Sequence, residues 1–152
     1  MLSAVYISEV SEGLRASDIE QLVADSQRLN SARGISGFLV RAGPNFIQYL
    51  EGDRARVAAL LRRMETDPRH RAMKILAIET IGVRRFDGWS MRYFYGEKDG
   101  SVRLESFLHH WSGDDAALIN TVVRICSASQ RHSHDEQPAI PIGSFSVLLK
   151  DC

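Results

Sequence analysis

The hydrophobic pattern changes period several times along the chain, and each change marks an element. Residues 2–8 have strand composition, and Ser17, Asp18, Ile19 and Glu20 then read as a capping box at a helix start. That helix carries Ile19, Leu22, Val23 and Leu29 on one face at spacings near three and four, and Gly34 is placed to end it. Residues 35–41 and 45–51 read as two strands joined by Ala42, Gly43 and Pro44, which suit a short hairpin turn. Asp53 can cap a second helix with Val57, Leu60, Leu61 and Met64 on its apolar stripe, and Pro68 is placed to stop it. Residues 74–83 and 89–95 supply two more strands.

The order is βαββαββ, which predicts an α+β, ferredoxin-like fold with a five-stranded mixed sheet. Two helices on one face leave the other face apolar and in need of cover. Leu104, Phe107, Leu108 and Trp111 form one helical stripe, and Leu118, Val122 and Ile125 form another after a Ser112 cap, so two C-terminal helices are expected there. The predicted division is a main unit over residues 1–97, a helical cap over 101–129, and a polar tail over 130–152 with a short apolar end.

Composition narrows the function classes. The chain has 152 residues, enough for one core, and 44% of them are hydrophobic. Lysine plus arginine equal aspartate plus glutamate, 19 against 19, which argues against a nucleic-acid partner. Arginines do gather at positions 54, 56, 62, 63, 69 and 71, a local excess suited to one phosphate or to a solvated helix face. Cys126 and Cys152 are far apart and suggest neither a disulfide framework nor a zinc site. With no membrane-length apolar run and no charged leader, a cytoplasmic protein without a membrane partner is expected.

Familiar enzyme signatures are missing: there is no Walker loop, G-x-S-x-G elbow, H-E-x-x-H or dinucleotide fingerprint. His132, His134 and Asp135 are potential ligands without a second anchoring cluster, so no metal is expected, and His109 and His110 lie on an amphipathic helix. More informative are Tyr6 and Gln48, each in the middle of a strand. Gln48 shares its face with Phe46 and Leu50, and a buried glutamine needs hydrogen bonds. A purely structural tyrosine–glutamine bond between neighbouring strands is the plainer account on composition alone.

Several dispersed motifs appear in order. They are Val5-Tyr6-Ile7-Ser8, Ser26-Gln27-Arg28-Leu29-Asn30, Gly34-Ile35-Ser36-Gly37-Phe38-Leu39, Asn45-Phe46-Ile47-Gln48-Tyr49-Leu50-Glu51-Gly52, Asp67-Pro68-Arg69-His70 and Trp89-Ser90-Met91. Together they resemble the BLUF domains, blue-light sensors using flavin, over residues 2–91. The resemblance implies a flavin, FAD with FMN as the alternative, lying between the two helices with Leu22 and Met64 as its walls. It implies that Tyr6 and Gln48 are the photoactive pair, with light drawing an electron and a proton from Tyr6 and leaving Gln48 with a rearranged hydrogen-bonding pattern. Cofactor binding is carried over to Tyr6, Leu22, Asn30, Phe46, Gln48, Arg63, Met64, Asp67, Arg69 and His70, and signal transmission to Trp89 and Met91. The amide of Asn30 suits the alternating donor and acceptor edge of a flavin, and arginines suit its phosphate.

On this reading the chain is a photoreceptor and not an enzyme, passing its signal to a separate partner protein or through self-association. A flavin-free interaction module of the same fold is the alternative. An acylphosphatase-like enzyme would need a phosphate-binding arginine loop that the sequence does not display.

Overall fold

The computed structural model describes residues 1–67, 70–95, 104, 106, 108, 110 and 115–132. Five strands, β1 (Leu2–Val10), β2 (Ser36–Ala42), β3 (Asn45–Gly52), β4 (His70–Thr80) and β5 (Arg92–Phe94), form one sheet. Its order is β4-β1-β3-β2-β5, antiparallel throughout except for the parallel β2–β5 pair. The crossovers are α1 (Ala16–Ala32) and α2 (Arg54–Glu65). This is the mixed five-stranded, ferredoxin-like arrangement expected from the order of elements.

Strand alternation divides the apolar residues between two faces. On one face Ala4, Tyr6, Leu39, Phe46 and Leu50 pack with Ile19, Leu22 and Val23 of α1 and Val57, Leu60, Leu61 and Met64 of α2. On the other, Val5, Phe38, Val40, Ile47, Tyr49, Phe86 and Phe94 are covered by Leu104 and by Leu118, Val122 and Cys126 of α3 (Asp115–His132). The expected C-terminal cover is therefore present on the far face. Leu118, Val122 and Cys126, which repeat every four residues, are fully buried, and Ile125 packs half-buried against the same cluster. Phe107 and Trp111 lie outside the described residues, as do Ser112 and His109. The helix continues to His132, and the rest of the tail expected over 130–152 lies outside the described residues.

Helix ends are set by local chemistry. The start of α1 departs from the expected Ser17 cap: Arg15 is the cap residue, and the Asp18 carboxylate accepts from its backbone N–H at 2.8 Å. A carboxylate in the first turn satisfies that amide and also meets the positive end of the helix dipole. At the other end Gly34 adopts φ +60°, while Ile35 N–H donates to Asn30 O and Gly34 N–H to Ser31 O. Those two bonds are a Schellman closure, which requires the left-handed residue that glycine supplies. Asp53 accepts from the N–H groups of Ala55 and Arg56 and caps α2. The helix ends at Glu65, where the Thr66 hydroxyl donates to Arg63 O, before Pro68, which is outside the described residues.

The last two strands differ most from expectation. β4 begins at His70 and not at 74, because β1 itself runs on to Val10 and pairs with it, with register shifts on the way. It ends at Thr80, leaving Val83 exposed. β5 has three residues instead of seven, so Trp89 and Met91 precede it. Their backbone bonds go elsewhere: Trp89 O accepts from Gly37 N–H at 2.7 Å, Ser90 O from Asn30 Nδ2 at 3.0 Å and Met91 O from Gln27 Nε2 at 2.8 Å. Gly37 is obligatory at this crossing, since a Cβ there would lie 2.0 Å from Tyr49 O.

Candidate functional site

The site is built where β1 and β3 run side by side beneath α1 and α2. Tyr6 and Gln48 are direct cross-strand partners, and Leu39 faces Gln48 from β2. Tyr6 is fully buried and its hydroxyl donates to Gln48 Oε1. Burial, and after it the charge of Asp67, pushes the Tyr6 phenol well above its ordinary value. The group therefore keeps its proton across the physiological range. From the other end of the amide, Gln48 Nε2 donates to Met91 Sδ at 3.4 Å. One carboxamide thus connects the phenol to the segment that leads into β5.

Around this pair the sequence-expected residues fall into three groups. Leu22, Phe46 and Met64 join Tyr6 in the same buried cluster, one wall from each helix and one from the sheet. Asn30 is fully buried; its Nδ2 donates to Ser90 O, and its Oδ1 has no hydrogen-bond partner among the described residues. Arg63 and Asp67 are half-buried at the end of α2, and His70 is buried with Nδ1 2.8 Å from Ser8 Oγ. The His70 ring meets Tyr6 edge-on at 5.8 Å between centroids. Arg69 lies outside the described residues.

Trp89 and Met91 separate. Met91 is buried on the helix side against Gln48, whereas the Trp89 ring packs on Phe86 at 5.3 Å and Phe94 at 6.0 Å, toward the far face. Two residues apart, they point to opposite sides because the chain bends at Ser90 between them, with Trp89 O held by Gly37 and Ser90 O by Asn30.

These residues fit a flavin. A planar, largely apolar ring needs apolar walls, a part that Leu22, Phe46 and Met64 of the buried cluster could take. Its polar edge needs donors and acceptors, which the unpaired Asn30 Oδ1 and the Gln48 amide could supply. A buried carbonyl oxygen without a donor is otherwise unfavourable by about 1–3 kcal/mol, so its presence is evidence for a polar ligand.

Two contributors were not singled out from sequence. Gln27 precedes Asn30 by three residues, one helical turn, so both amides reach the same neighbouring backbone. Ser8 lies two residues beyond Tyr6 on the same strand face, and that parity was available as a signal. No group of three metal-ligating side chains occurs among the described residues, and none of their helices is long and apolar enough to cross a membrane.

Comparison with known proteins shows the family. Residues 1–92 match the family model described as sensors of blue light using FAD. The chain is 29% identical over 94 residues to the blue light- and temperature-regulated antirepressor BluF of Escherichia coli, a match covering 62% of this chain and 23% of that protein. It is 30% identical over 70 residues to the photoactivated adenylate cyclase subunit beta of Euglena gracilis, covering 46% of this chain and 8% of the relative. The chain thus spans less than a quarter of the length of these relatives. Among solved structures, the dark-state structure of BlrB, a BLUF protein, superposes with a TM-score of 0.72 at 32% identity, covering 84% of this chain and 96% of that one. With its family model matched over more than half its length, the chain belongs to the BLUF family of flavin-binding blue-light sensors.

Proposed function

We propose that this chain holds FAD between α1 and α2 and reports blue light through the Tyr6–Gln48 pair, without turning over a substrate. When bound, the flavin supplies blue-light absorption and an electron-accepting ring. Leu22, Phe46 and Met64 exclude water from it, Asn30 and Gln48 orient its edge, and Arg63, Asp67, Arg69 and His70 serve the side chain and phosphate, with FAD preferred to FMN.

The observation that carries the reading is the buried bond from Tyr6 to Gln48 Oε1, made by an amide whose other end already holds Met91. A carboxamide presents a donor at one end and an acceptor at the other, and exchanging them creates no buried charge. In the exchanged arrangement an oxygen faces Met91 Sδ, two acceptors meet, and the present contact is lost. The Gln48 amide thereby converts a local change at Tyr6 into a change of force on the segment leading to β5. Residues 1–97 form the light-sensing unit on this reading, and the cap over 101–129 receives the change on the far face. From there the signal passes to a separate partner protein, or through self-association.

Absorption spectra of the purified protein before and after blue light test the proposal. A flavin band that shifts to the red and returns in the dark is expected. A colourless protein that takes up no FAD would instead be a flavin-free interaction module of the same fold.

A further inference from the structure

We propose that Glu51 is a positioning residue for this light response: its buried carboxylate anchors residues 84–86 and so sets how firmly Met91 rests against Gln48. The proposal deepens the reading above and rests on it. Glu51 is fully buried on β3, three residues beyond Gln48 and on the opposite face of the sheet. Its carboxylate accepts four hydrogen bonds: from Ser36 Oγ at 3.1 Å and Phe86 N–H at 2.7 Å on one oxygen, and from Tyr49 Oη at 3.0 Å and Arg85 N–H at 2.9 Å on the other. A carboxylate removed from water is tolerated only when its lone pairs are satisfied in this way. Two of its donors are consecutive backbone amides of a connection without regular secondary structure, so the charge fixes backbone and not merely side chains.

The fixed point is tied onward to the site. The Arg84 guanidinium adds bonds to Ser36 Oγ at 2.6 Å, to Glu51 O at 3.2 Å and to Gly34 O. The Phe86 carbonyl accepts from Trp89 N–H at 3.2 Å, and Trp89 O is held by Gly37. Ser90 and Met91 are then held by Asn30 and Gln27, and Met91 Sδ accepts from Gln48. Residues 84–91 therefore form a strap around the sheet with both ends on β3: Glu51 grips one end on the far face, and the switching amide touches the other.

Because Gln48 Nε2 donates to Met91 in the arrangement seen here, the grip at Glu51 favours that arrangement over the exchanged one. Glu51→Gln keeps the size of the side chain but replaces one acceptor oxygen with a donor that must face a donor. The strap loosens, and the pull that returns Gln48 to its starting orientation weakens.

The experiment measures thermal return after blue light in the full-length, FAD-loaded protein. E51Q is expected to return roughly threefold more slowly or more, the size of effect typical of residues acting through a packed network. Met91→Ala should also slow the return, and the double variant should return like M91A alone, because Glu51 acts through Met91. A merely structural role would lower stability without this non-additivity. An E51Q protein with the parent's return rate, or a slowing that adds in full to that of M91A, overturns the proposal. Tyr49→Phe removes one of the four donors while keeping the ring, and it decides the question by the same two criteria if E51Q does not fold. A parent protein lacking any light-induced shift overturns the underlying reading, and is distinguished because no variant is needed to see it.

Discussion

The two faces of this sheet treat buried polar groups in opposite ways, although the same strand supplies both. On the far face Glu51 has all its acceptor capacity engaged, among the rings of Phe38, Tyr49 and Phe86 packed at 4.9–5.4 Å. On the helix side Asn30 keeps an unpaired oxygen, and Gln48 spends an amide proton on a thioether, a weak acceptor. A closed network fixes one structure, whereas an open one leaves groups available to a ligand and to exchange. The difference separates scaffold from sensor along eight residues of β3.

Substitutions at the open face should remove function and spare the fold. Tyr6→Phe is expected to retain flavin and to lose the light-induced red shift altogether, since the ring survives without its proton. Gln48→Leu should do the same, as leucine offers no ends to exchange. A difference spectrum in which either variant shifts like the parent would remove that residue from the mechanism.

Substitutions where α3 packs on the closed face should act on stability and leave the shift itself in place. Leu118→Ala opens a cavity beneath α3, and a loss of about 2–5 kcal/mol is expected in denaturant unfolding with the red shift intact. An abolished shift in the folded variant would show that the α3 contacts are needed for the shift itself.

Alkaline titration sharpens the contrast by a smaller amount. Burial, and after it the Glu51 charge, pushes the Tyr49 phenol up to about 12. A raised phenol contributes stability that is complete below its unfolded value near 10 and is lost as pH rises through about 12. Stability should therefore fall over that window, and Tyr49→Phe should flatten the fall; an unchanged pH profile would disprove the assignment. The smallest effect is expected at the rim, where Asp53→Ala removes the α2 cap and should lower stability by about 1 kcal/mol without altering the spectrum. A spectral change there would mean that the open site extends to the start of α2.

Much of this protein could be read from its sequence because local rules act on neighbours in the chain. The crossover helices, the hairpin and the two-faced sheet follow from period and punctuation: Val57, Leu60, Leu61 and Met64 can share only one helix face, and Gly43-Pro44 permits only a turn. Alternation alone placed Tyr6 and Gln48 inside, and ordered motifs gave the family and its cofactor class.

What required the tertiary structure was every outcome decided by competition between distant groups. The shortness of β5 could not be read from residues 89–95, because the bonds that divert its approach come from Gln27, Asn30 and Gly37, more than fifty residues earlier. The start of α1 is the exception, a local outcome in which Arg15 with Asp18 caps the helix in place of Ser17. Trp89 and Met91 share one expected role, yet the bend at Ser90 sends one toward Phe86 and the other to Gln48. Glu51 reads locally as an acid inside an apolar strand; only the fold brings Ser36, Arg85 and Phe86 around it. Sequence period fixes which face a side chain occupies, but hydrogen-bond partners are chosen among everything the fold brings within about 3 Å.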